Sequence, residues 1–187
     1  MTDCSLKEFF LIMVLYICIM ASKNQLKWTD LVSPTISPDE YLNTNKEKIA
    51  INYKTYEPKL NILDEINKLL EIKEEGLKIL ALGAEWCPDC NRNIPRLIKI
   101  IKMLDNKEIT FKILYGIMKN AFHKPGEPIW HKKRSPKEAV SPKFNLKAIP
   151  TIYFFNKKDN FLGVIIENPK DGSTIEEDIL EILQENL

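Results

Sequence analysis

An α/β fold, a mixed central β-sheet flanked by helices with a helical extension ahead of it, is what this 187-residue sequence predicts. Three observations carry the prediction. An apolar strand-like run, Lys78 to Gly83, leads through Trp86-Cys87-Pro88-Asp89-Cys90 into a helix-like run, Ile94 to Leu104, and then a second strand, Ile109 to Tyr115. Thr151 to Phe155 and Phe161 to Ile166 flank Lys157-Lys158-Asp159-Asn160, which reads as a hairpin turn. Two helix patterns precede all of this. A strand–helix–strand unit needs a parallel crossover, whereas a short turn demands an antiparallel pair, so the sheet must be mixed.

The chain divides into an apolar leader (1–21), a helical extension (22–75) and a main domain (76–187) with a long insert at 116–143. Phe9 to Ala21 is continuously apolar but shorter than the ~17–25 residues that span a bilayer. Its length suits an export signal, yet Asp3 and Glu8 oppose Lys7 ahead of it. Met20-Ala21-Ser22-Lys23 also reads as a soluble start, and a buried helix is the third reading. The expected location is cytoplasmic, with export or membrane anchoring through residues 1–21 as the alternative.

In the extension, Ser37-Pro38-Asp39-Glu40 is a helix start: Ser37 caps, Pro38 fits the first position, and Glu40 completes a capping box. Leu42, Ile49, Tyr53 and Tyr56 recur at helical spacing until Pro58. A second helix carries Ile62, Ile66 and Leu69, with Gly76 as its expected stop. After the strand at 78–83, the next helix is expected to bury Ile94, Leu97, Ile98, Ile101 and Leu104. Ser173-Thr174-Ile175-Glu176 reads as another capping box, opening a last helix with Ile175, Ile179, Ile182 and Leu183 inward.

Composition narrows the function. Apolar residues at 44% and charged residues at 28% suffice for a buried core. A formal charge of +1 gives no general case for nucleic-acid binding. Four cysteines are too few and too unevenly placed for a disulfide scaffold. Cys4 and Cys18, if on one helix, would stand roughly 21 Å apart, beyond bridging distance.

The Cys87 to Cys90 pair is different. At a strand-to-helix junction its sulfurs lie at a helix N-terminus, where unpaired N–H groups and the dipole stabilise a thiolate on Cys87. A thiolate is the nucleophile of disulfide exchange. The same spacing is also half a zinc site, and His123 and His131 could in principle complete one. A plain surface loop is the expected setting for both histidines, and no metal is expected.

Over roughly residues 60 to 187 the chain resembles the thioredoxin family. Ala84-Glu85-Trp86-Cys87-Pro88-Asp89-Cys90 looks like the family's active-site segment, Pro95 stands where its helix carries a proline, and Ala148-Ile149-Pro150-Thr151 looks like its cis-proline segment. Arg92-Asn93-Ile94-Pro95, with the helical extension, is similar to a subgroup of thioredoxin-like proteins. The resemblance implies a thioredoxin-like fold and a thiol–disulfide oxidoreductase that reduces protein disulfides. Cys87 would attack and Cys90 resolve; Trp86, Pro88, Ile149 and Pro150 would meet substrate, and Glu85 and Asp89 would modulate. No bound cofactor is implied, since the electrons reside in the cysteine pair. The implied partners are protein disulfides and a reductase or small-thiol donor, acting on a monomer. The alternative is a binding or chaperone-like module with little redox turnover.

Departures from the family accompany the match. Ala81 stands where a buried aspartate is usual, Gly83 where an aromatic is usual, and Glu167-Asn168-Pro169 where a glycine follows the last strand. Resolution at Cys90 would then need water, Glu85 or Asp89 as proton acceptor. Asp89 beside the thiolate is expected to raise the Cys87 thiol by repulsion and favour a reductant. In the insert, His131-Lys132-Lys133-Arg134 reads as a solvated basic face or a dock for an acidic partner, and Trp130 with Ile129 is expected near the active site.

Overall fold

The computed structural model describes residues 25–44 and 46–187, so the reading of residues 1–21 falls outside it. A short 3-10 turn, Trp28–Asp30, precedes α1 (Pro38–Thr44), α2 (Lys46–Thr55) and α3 (Leu60–Ile72). Then come β1 (Leu77–Leu82), α4 (Pro88–Leu104), β2 (Ile109–Leu114), α5 (Lys137–Val140), β3 (Thr151–Asn156), β4 (Phe161–Ile166) and α6 (Ile175–Asn186).

The four strands lie in the order β2-β1-β3-β4. β1 runs parallel to β2, with Leu77 opposite Ile109 and Leu82 opposite Leu114. It runs antiparallel to β3, with Leu77 opposite Asn156, and the β3–β4 hairpin completes the mixed sheet. The central strand β1 is hydrophobic almost throughout because both its faces are covered; Ile79, Leu80, Ala81 and Leu82 are fully buried. A bridge between Ile36 and Ile113 ties the chain ahead of α1 to the β2 edge.

The extension packs onto the sheet domain. Tyr41 and Ile49 are fully buried, α2 lies against α4, and α3, α4 and α6 contact one another. The Ser37 capping box forms as expected: Ser37 N–H donates to Glu40 Oε2 at 2.7 Å, and Glu40 N–H to Ser37 Oγ at 3.2 Å.

Three local expectations are corrected. α3 ends at Ile72, not against Gly76, and the left-handed position after it is Glu74 at φ 50°. Gly76 is small for another reason: a Cβ there would stand 2.9 Å from the Glu108 carbonyl oxygen. The inward stripe of α3 is Leu63, Ile66 and Leu70, with Ile62 and Leu69 at its margins. The last helix is capped one residue later than predicted, by Thr174 with Glu177, whose Oε2 accepts from Thr174 N at 2.9 Å. Ser173 instead donates to Asp178, and Glu176 turns into the protein, accepting from Tyr56 Oη at 2.6 Å and Lys59 N at 3.0 Å.

Among the described residues no helix is long and apolar enough to cross a membrane.

Candidate functional site

β1 delivers the chain to its carboxyl end, and α4 starts there with Cys87 as N-cap at φ −86°, ψ 117°. Pro88 takes the first helical position, where no N–H is needed and the ring presets φ. Cys87 Sγ accepts from the Cys90 amide at 3.1 Å, so the sulfur occupies the place a capping oxygen usually fills. On its other side the Cys87 thiol donates to the Ile149 carbonyl across 3.3 Å. The Ile149–Pro150 bond is cis. The expected facing of the cysteine pair and the loop before β3 is therefore present, through the Ile149 backbone.

Both cysteines are free and buried, Cys87 at 3% exposure and Cys90 at 0%. The environment separates them. A hydrogen bond from the Cys90 thiol is the largest influence on Cys87 and holds its thiol below the usual range; burial opposes it, and the Cys90 and Asp89 amides add to it. Burial pushes Cys90 far up, helped by its bond to Cys87. One sulfur is thus prepared as a thiolate and its neighbour kept as a thiol.

The expected upward push from Asp89 is real but does not prevail: its charge repels the Cys87 thiolate, and the net shift remains downward. Arg92 Nη2 donates to Asp89 Oδ1 at 2.6 Å, offsetting the charge, and also to Asn168 Oδ1 at 2.6 Å. Asn93, 2% exposed, donates to the Glu167 carbonyl at 2.6 Å and to Asn168 Oδ1 at 2.9 Å. Glu167 N–H donates to the Pro150 carbonyl at 2.7 Å. A continuous polar path thus runs from Asp89 through α4 and the turn after β4 to the loop facing Cys87. Glu167 adopts φ 59° in that turn, a left-handed conformation uncommon for a residue other than glycine.

Trp86 is half exposed and donates its indole N–H to Ile117 O at 2.8 Å. With Ala84, Glu85, Tyr115, Ile117 and Met118 it lines a cleft of about 370 Å³ beside Cys87. Tyr115 was not foreseen. A Cβ at Gly83 would lie 3.2 Å from Cys90 Sγ and 3.3 Å from Tyr115 Cε2, so the missing side chain at Gly83 leaves room for that ring beside the sulfur. Tyr115 Oη meets Tyr41 Oη at 3.4 Å, with the rings edge to face at 5.2 Å. Burial raises both phenols, Tyr115 to about 12.

Trp130 lies inside the protein at 5% exposure and donates to the Leu146 carbonyl at 2.7 Å. It anchors the insert and is not among the cleft-lining residues. His123 binds the nearby Asn120 carbonyl at 2.9 Å, and among the described residues no three His, Cys, Asp or Glu side chains gather as a metal site.

Comparison with known proteins agrees with this geometry. Residues 35–116 match the family model described as thioredoxin. A protein of unknown function from Pseudomonas aeruginosa is 17% identical, with a TM-score of 0.50 over 87% of this chain and 94% of that one. An HIV epitope-scaffold is 18% identical, with a TM-score of 0.52 over the same shares. These two likenesses speak to the fold alone. No curated protein matches the chain. The matched segment, residues 35–116, and the mixed sheet that carries it give the chain a thioredoxin-like fold.

Proposed function

We propose that the protein is a thiol–disulfide oxidoreductase that reduces protein disulfides through Cys87 and Cys90. The observation that carries this reading is the position of Cys87 Sγ, between the Cys90 amide and the Ile149 carbonyl. The amide supports a thiolate, and in this reading the Ile149 backbone pairs with an extended substrate chain as an added strand would.

In the forward direction the Cys87 thiolate attacks one sulfur of a substrate disulfide. The S–S bond breaks, a mixed disulfide forms, and the departing substrate sulfur takes a proton. Cys90 then gives up its proton to water, Glu85 or Asp89 and attacks Cys87 Sγ as a thiolate, and the second substrate sulfur leaves and takes up a proton. Two electrons have moved to the substrate, and the protein holds a Cys87–Cys90 disulfide. A reductase or a small thiol restores the dithiol by the reverse exchange. In a reducing compartment such as the cytoplasm the flux runs toward substrate reduction.

The test is covalent trapping. Cys90→Ser should accumulate mixed disulfides through Cys87, visible by non-reducing electrophoresis of the variant from native lysate. Cys87→Ser should accumulate none. Equal adducts from both variants, or none from either, would overturn the reading.

A further inference from the structure

The charge of this chain is not spread evenly. Between Gly116 and Lys147 stand eight Lys and Arg against two Glu, in a chain whose formal net charge is only +1. The segment keeps a surplus of six positive charges. Glu138 is buried and accepts from Val32 N and Ser33 N, both at 2.8 Å. Glu127 turns back to its own loop, accepting from Lys124 N at 3.0 Å.

The segment is docked against the cleft beside Cys87. Met118, which lines that cleft, accepts from His131 N at 2.7 Å, and its amide donates to Ser135 Oγ at 3.0 Å. Lys132, Lys133 and Arg134 form the exposed turn between those two attachment points. Lys119 follows Met118 directly, and Lys147 stands two residues before Ile149, whose carbonyl accepts from the Cys87 thiol; both are exposed. Among the described residues none of these five cations makes an ion pair. Elsewhere Lys59, Lys102 and Lys170 are matched to Glu177, Asp39 and Glu181. The rim also carries Glu85, the one carboxylate lining the cleft.

We infer that the substrates of this dithiol are acidic polypeptides, held by carboxylates on the Lys119, Lys132–Arg134 and Lys147 rim while their disulfide reaches Cys87. The inference rests on the oxidoreductase reading and adds the substrate's chemistry to it. The apolar floor of Trp86, Ile117 and Met118 receives the chain around the disulfide, and the unpaired cations select its flanks. Charges arranged this way act mainly on encounter and on choice of partner, and they weaken as salt screens them.

The experiment compares disulfide peptides of one core sequence with acidic, neutral or basic flanks, beside bis(2-hydroxyethyl) disulfide as an uncharged probe of the chemistry. Each is assayed with the native protein and with the triple variant Lys132→Gln, Lys133→Gln, Arg134→Gln, at low and high salt. The native protein should reduce the acidic peptide with a kcat/KM about tenfold above the neutral one at low salt, and the basic peptide below it. High salt and the triple variant should each erase the difference while the uncharged probe is reduced at an unchanged rate. If the probe is reduced and the acidic peptide gains nothing, the docking surface is refuted and the oxidoreductase reading stands. If no disulfide is reduced, both fall. Competition by a single-stranded oligonucleotide but not by an acidic peptide without cysteine would assign the rim to nucleic acid and overturn the inference.

Discussion

Asn52 donates its side-chain amide to the Asn91 carbonyl across 3.2 Å, and that carbonyl is the one Pro95 leaves without a helical donor. A proline inside α4 removes the N–H that would bond four residues back. α2 supplies the replacement, so the extension completes the helix that carries the cysteine pair. Asn52→Leu should therefore lower stability by about 1–2 kcal/mol, read as a lower urea midpoint at unchanged slope. Pro95→Ala in the same background restores an amide for that carbonyl and should recover part of the loss. Simple addition of the two single-variant effects would show that the carbonyl is not the link.

What was legible in the sequence was local. The strand–CxxC–helix junction, the Ser37 capping box and the β3–β4 hairpin are each written in a few consecutive residues. What was not legible lies between distant residues: Asn93 and Glu167 are 74 positions apart, as are Tyr41 and Tyr115. Two absences did carry a signal. Pro95 implies a carbonyl in need of a donor, and Gly83 in place of an aromatic implies a ring arriving from elsewhere; sequence alone does not say from where. The cap of α6 slipped by one residue because Ser173 and Glu176 both have better partners in the folded chain than each other.

The pairing of Asp89 with Arg92 predicts opposite effects from neighbouring substitutions. Asp89→Asn removes the repulsion on the Cys87 thiolate and should lower the midpoint of its alkylation with pH. Arg92→Gln frees the Asp89 charge and should raise it. The pair is partly exposed, and exposed pairs are worth about 0.2–1 kcal/mol, so each shift should stay below about 0.7 pH unit. In the double variant the Arg92 effect should shrink. A midpoint that moves the same way in both single variants would refute this account.

The buried phenols set an alkaline limit. Burial raises Tyr41, Tyr115 and Tyr153 above the usual phenol value of about 10, Tyr115 to about 12. An acid whose folded-state value is raised contributes stability that is fully present below its unfolded value. That contribution is lost as pH rises from about 10 toward the folded value. Tyrosinate absorbance from these residues should therefore appear together with loss of near-ultraviolet dichroism. Full ionisation near pH 10 in an intact fold would contradict their burial.

Asn93 should matter more for substrate than for the reactive sulfur itself. Its amide holds Glu167 and Asn168, and Glu167 holds the Pro150 carbonyl, but none of these groups touches Cys87 Sγ. Replacing Asn93 by Leu leaves the Glu167 carbonyl without its donor, at a cost of about 1–3 kcal/mol, and loosens the path to the loop where an extended chain would pair. The alkylation midpoint of Cys87 should change little, because its stabilising bonds come from Cys90. Turnover of a peptide disulfide should fall severalfold through KM, while a small uncharged disulfide, which needs no strand pairing, should be reduced at near-native rate. Asn93→Ser, able to donate one bond, should recover part of the peptide activity. Equal losses on both substrates would mean that Asn93 acts on the helix and the dithiol, not on the loop.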